Sequence, residues 1–253
     1  MNTLDAELRR FSARRMMQGM VAVGAALIAI IAWLSTVTGH TQFDYHESLE
    51  NALEGVGIAL VFVASILGAT FVGADMQAGS LVSQLLFEPR RIRLHLTKAV
   101  AVAIGTAVVT LGMLVVLAAT LYVGAAVRGS TSGLDAGWWA ARAGDALRVA
   151  VVSACAAAMS FAVTVVFRRT SAGLLFFFVQ FLLFFSIDPF SHPYGPVVQF
   201  EPLTALLALM VPPAHAGTAL GIQTTQAAVL ATAIWLVLLI GVSVAVFARA
   251  EVR

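Results

Sequence analysis

Residues 75–98 read Asp-Met-Gln-Ala-Gly-Ser-Leu-Val-Ser-Gln-Leu-Leu-Phe-Glu-Pro-Arg-Arg-Ile-Arg-Leu-His-Leu-Thr-Lys. The stretch lies between two long apolar runs, 56–73 and 99–127, and carries four of the chain's fifteen basic side chains: Arg90, Arg91, Arg93 and Lys98. Such runs are membrane spans, because a backbone in lipid must satisfy its own hydrogen bonds and does so as a helix. Within the connection, Ser80 is placed to cap a short helix with Leu81, Val82, Leu85 and Leu86 on one face, and Pro89 stops it near Glu88. A span needs no amphipathic segment at its end, so something other than lipid is expected to contact this one. On residue types alone, a plain basic loop whose arginines meet lipid headgroups is the alternative.

Composition points the same way over all 253 residues. The chain is 60% hydrophobic and 11% charged, with a mean hydropathy of +0.93, where soluble domains are roughly half apolar and a quarter charged. Apolar runs at approximately 17–37, 56–73, 99–127, 147–167, 172–187 and 227–248 predict six transmembrane helices. The fifth run is about 24 Å long as a helix, short for a bilayer core, and the third is about 43 Å, so it is expected to project at its cytoplasmic start, next to Lys98. Ahead of the first span, residues 3–15 read as an interfacial helix: Leu4, Leu8 and Phe11 form an apolar stripe among Arg9, Arg10, Arg14 and Arg15. A solvated basic leader is the alternative. The first apolar run exceeds the ~7–15-residue core of a signal peptide and is expected to be retained.

Basic residues set the orientation. Arg9, Arg10, Arg14, Arg15, Arg90, Arg91, Arg93, Lys98, Arg168, Arg169, Arg249 and Arg253 fall on one side of the predicted spans; only Arg128, Arg142 and Arg148 remain for the other. Both termini are therefore expected in the cytoplasm. Residues 128–144, with Trp138 and Trp139, read as an external loop. Between the last two spans, Pro189, Pro193 and Pro196 precede an apolar stretch from Leu203 to Val211 that ends at Pro212 and Pro213. Nine residues cannot span; the segment is either re-entrant or an external helical cap. The expected fold is an all-α polytopic membrane protein forming a single domain over 1–253.

Several chemistries are disfavoured. The only lysine, Lys98, follows Thr97 rather than glycine, so no Walker A loop exists and any ATP must be bound elsewhere. His40, His46, His95, His192 and His215 read as loop or loop-proximal, with no Gly-x-Ser-x-Gly elbow, which argues against an intramembrane enzyme. His40, Asp44, His46 and Glu47 match no known metal-ligand spacing, and a polar external loop accounts for them. Asp75, Asp145, Arg148 and Asp188 sit at span ends, so the span interiors lack the buried Asp, Glu or His that an ion-coupled transporter or channel would use. The lone Cys155 sits in an apolar run and reads as packing, with no intrachain disulfide possible.

Two patterns within the spans concern packing. Ser65, Ala69 and Gly73 recur every four positions on the second span and permit close helix approach. On the fifth, Phe177, Phe181 and Phe184 share a face at i, i+4 and i+7. They read as packing or lipid-facing residues, or as a hydrophobic gate.

Taken together, Asp75, Gly79, Ser80, Leu81, Leu85, Pro89, Arg91 and Lys98 form a pattern that resembles permease subunits of the ABC type-2 transporter family: an acid, then Gly-Ser-Leu, a leucine, Pro, Arg and a later Lys. Aspartate stands at the first position where glutamate is commoner. The basic leader, six spans, long third span and proline-containing segment before the last span are similar to that family over almost the full length. The resemblance implies that residues 79–89 are a coupling helix docking on a separate ATP-binding subunit, present in two copies that bind the ATP and magnesium. It implies a second permease subunit, homo- or heterodimeric, with the second and fifth spans near the shared axis. It further implies export across a bacterial cytoplasmic membrane, no cofactor or catalysis in this chain, and no nucleic-acid partner.

Overall fold

The computed structural model describes residues 3–38, 43–79, 90–186, 200–210 and 225–249. Within them lie eight helices: α1 (Thr3–Ala13), α2 (Arg15–Thr38), α3 (Tyr45–Gln77), α4 (Arg91–Arg128), α5 (Ala136–Phe167), α6 (Thr170–Ser186), α7 (Pro202–Met210) and α8 (Thr225–Arg249). Two-residue strands, β1 (Phe43–Asp44) and β2 (Gly129–Ser130), pair in parallel and tie the connections before α3 and after α4. Five helices, α2, α3, α4, α5 and α8, are long and apolar enough to cross a membrane. This is the architecture of a multi-pass membrane protein.

Most of α5 is buried, whereas α2 and α8 are largely exposed along their lengths. The sequence of α5 explains its central place. Ala150, Ser153, Ala156, Ala157, Ser160 and Ala162 are all buried, and such small side chains let neighbouring backbones come close. On α3, Gly68 faces the backbone of Ala157, while Ala69 and Gly73 face Gly173 and Thr170 of α6. Positions 69 and 73 of the stripe therefore serve contact with α6, and Gly68, one position off it, serves contact with α5.

Helix limits differ from the hydropathy runs where amphipathic turns extend a span. Helix α3 starts at Tyr45 rather than near 56: Asp44 caps it by accepting the His46 N–H at 3.0 Å, and Tyr45, Leu49 and Leu53 bury one face. Residues 128–144 are not wholly a loop, because α5 begins at Ala136, where Asp135 accepts the Trp138 N–H at 2.6 Å. At 38 residues, α4 is about 57 Å long and starts seven residues before Lys98. The N-terminal helix α1 ends at Ala13, and Phe11 and Glu7 face protein, packed on α3 and α4, rather than a membrane surface.

The short helix α7 is covered by protein, with Leu203 and Leu206 fully buried among α5, α6 and α8. Its first turn has a free backbone N–H, that of Leu203, which donates to the Gln180 side chain of α6 at 3.0 Å. From α8, the Trp235 indole N–H donates to the Phe200 carbonyl at 2.6 Å. Three helices thus enclose α7.

Candidate functional site

The last turns of α3 and the first turns of α4 bracket residues 80–89, and a buried ionic network holds those turns together. Asp75 is 2% exposed and Lys98 1%; Lys98 Nζ donates to Asp75 Oδ2 at 2.5 Å and to Glu7 Oε2 of α1 at 3.1 Å. Arg14, at the break between α1 and α2, donates through Nη2 to the other Asp75 oxygen and through Nη1 to the Phe71 carbonyl at 2.5 Å. The guanidinium lies 4.6 Å from the Phe71 ring centroid and Lys98 Nζ 5.5 Å from it, so one aromatic ring serves both cations. Arg10, half-exposed, donates to the remaining Glu7 oxygen at 2.6 Å.

Local sequence explains the assembly. Glu7 and Phe11 lie at i and i+4 on one face of α1, and Arg14 follows directly after its last residue, so an acid, an aromatic side chain and a base come close together in sequence. Phe11 fits because Gly105 of α4 has no side chain there, and it stacks on Phe71 with ring centroids 5.5 Å apart. Gly79 takes φ +64, closing α3 in the left-handed conformation that glycine adopts without strain.

Of the residues singled out in the motif, the structure brings Asp75 and Lys98 together, assigns Gly79 to the helix end, and begins α4 at Arg91, half-buried. Ser80, Leu81, Leu85 and Pro89 lie outside the described residues, as does the Phe184 side chain. Phe177 is fully buried, and Phe181 meets Phe62 of α3 edge to face at 4.7 Å. Both face the rest of the chain; the exposed side of α6 carries Leu175, Phe178, Val179 and Leu182.

Ionisable groups are nevertheless enclosed by protein near the ends of these helices, outside the apolar runs read as span interiors. Glu7, Asp75 and Lys98 are enclosed, and His95, in the first turns of α4 next to the connection before it, is 1% exposed. Its ring lies between Phe161 of α5 and Phe247 of α8, and Nε2 is 2.9 Å from Ser243 Oγ. The Ser243 hydroxyl donates its proton to the Ile240 carbonyl at 2.8 Å, so His95 Nε2 is the donor. Ser243→Ala therefore leaves a buried imidazole N–H without an acceptor and is expected to destabilise the chain by about 1–3 kcal/mol. Thermal unfolding in detergent checks this; His95→Phe in the same background is expected to recover part of the loss.

Among the described residues, no group of three or more His, Cys, Asp or Glu gathers to hold a metal ion. Asp44 is engaged as the α3 cap, and His46 stacks beside Trp138 at 5.1 Å. The network itself offers opposite charges already paired in a dry setting, suited to fixing three helices in register.

The fold defines a class, the all-helical multi-pass membrane protein. Compared with models of protein families and with curated proteins, the chain matches none.

Proposed function

We propose that this chain is the membrane subunit of an ATP-driven exporter of the ABC type-2 kind, with six spans and both termini in the cytoplasm of a bacterial cell. In this reading α6 supplies the remaining crossing, residues 79–89 dock on an ATP-binding subunit, and two permeases enclose the pathway. The observation that carries the proposal is the meeting of the motif's two ends. Asp75 and Lys98, 23 residues apart, pair in the buried network that also holds α1. A displacement of 79–89 by a closing ATPase is then transmitted to α1, α3 and α4 together, as one rigid body. The Phe177, Phe181 and Phe184 gate requires Phe181 to leave Phe62 when the pathway opens.

The test is association. Leu81→Asp/Leu85→Asp is expected to abolish co-purification of the partner ATPase while leaving membrane insertion and the solubilised elution profile unchanged. Retained association with ATP-dependent transport intact would sink the placement of the contact.

The burial of Glu7, Asp75 and His95 favours a second reading, an ATP-independent proton-coupled transporter. Against it, both carboxylates are paired with cations, and Asp75 lies two residues from the end of a 33-residue helix rather than midway along it. Transport in liposomes driven by a pH gradient without ATP would establish this reading in place of the first.

A further inference from the structure

Helix α2 packs along α4 and barely touches α3, so part of α2 and the first half of α3 stand apart around a cleft of about 720 Å³. Its wall is chemically divided. Asp44, the residue that caps α3, and Glu47 and Asn51 in its first turns supply a polar rim, and Ile28 of α2, Val56 of α3 and Leu121 of α4 an apolar floor. The rim carboxylates have no cationic partner among the described residues. Asp44 accepts the backbone N–H of His46, and Glu47 enters no ion pair, whereas neighbouring Glu50 is matched by Arg142 at 2.8 Å. A carboxylate beside a low-dielectric wall attracts positive charge more strongly than one in open water.

We propose that this cleft binds a lipophilic organic cation, a positive centre carried on an apolar body. The volume is that of a site for a drug-sized molecule, roughly 300–1,000 Å³. The rim selects the sign of the charge, and the floor shelters the body. An inorganic divalent ion is not matched, since calcium takes about 6–8 oxygen ligands and half of this wall is hydrocarbon. An anion would meet two like charges. The binding stands on the cleft alone; only the further step, that the cation is cargo moved by ATP, rests on the exporter reading.

The experiment measures binding of radiolabelled tetraphenylphosphonium to the full-length chain in dodecyl maltoside, with tetraphenylborate, a near-isostere of opposite charge, as the counterpart. Saturable binding of the cation, and none of the borate, is expected. Asp44→Asn/Glu47→Gln keeps a capping side chain on α3 and is expected to weaken cation binding at least tenfold. Gly55→Leu projects into the cleft from a position where an added Cβ meets nothing within 4 Å, so it is expected to block binding with an unchanged elution profile and unfolding midpoint. Absence of saturable cation binding overturns the site. Equal binding of both ions, or unchanged affinity in both variants, would reduce the cleft to an apolar gap filled by lipid or detergent tails. With no ATPase present, failure here leaves the association test untouched, and failure of that test leaves this one.

Discussion

Asp75→Leu is expected to destabilise the chain by about 3–5 kcal/mol, the range for removing one partner from a buried ion pair. The effect is large because Asp75 is bidentate across helices: one carboxylate oxygen takes Arg14, the other Lys98. Without it, two cations face each other over Phe71 in a site too dry to screen them. Lys98 retains Glu7, and Arg14 retains the Phe71 carbonyl, which places the loss within that range rather than above it. Asp75→Leu/Lys98→Met is expected to recover at least half of the loss, since an apolar replacement of a buried pair is often neutral while a broken one is not. Apparent unfolding midpoints in detergent read both variants. Limited proteolysis adds a local signature: α1, held by Glu7 and Arg14, is expected to become susceptible in the single variant and protected again in the double one. A single variant melting within about 2 °C of the parent would show that the network contributes nothing net to the fold.

That network is also where the sequence was least legible. Spans are read from runs of apolar residues, and five helices occupy those runs because lipid and helix interior impose the same demand. Charges at the ends of runs carry no such constraint. Asp75 and Lys98 read as span boundaries and Arg14 as part of a basic leader, since nothing local records that α1 folds back onto α3 and α4. One signal was available: Glu7 shares a helix face with Phe11, and an acid on an apolar stripe needs a buried cation. A second was the use of lysine once against fourteen arginines, at the position where a compact point charge reaches two carboxylates.

Helix limits failed for a different reason. Hydropathy averages over faces, so the amphipathic turns Tyr45–Gly55 and Ala136–Ala146 fell below the level of a span although Asp44 and Asp135 were capping residues in plain view. Gln180 stands between these cases. Inside an apolar run it signals a buried hydrogen-bond requirement, but its partner, the Leu203 N–H, lies 23 residues away and follows only from the fold.

Gly68→Leu is expected to have the other large effect, and it separates two kinds of membrane glycine. An added Cβ at 68 overlaps the carbonyl carbon and oxygen of Ala157, so the atoms in the way are backbone and cannot turn aside as a side chain does. Overpacking relieved by side-chain movement costs about 1–3 kcal/mol. Here α3 must move away from α5, uncovering Val61, Ala64 and Phe161, all buried at or below 1% exposure, so a loss of about 3 kcal/mol or more is expected. Gly112→Leu makes the same chemical change on α4, where an added Cβ meets nothing within 4 Å, and is expected to be neutral or mildly stabilising because leucine is the better helix former. The comparison is made on the fraction of solubilised protein eluting as one species and on its unfolding midpoint. Equal behaviour of the two variants would mean that α3 and α5 are not held at the separation Gly68 permits, and the central position of α5 would fall with it.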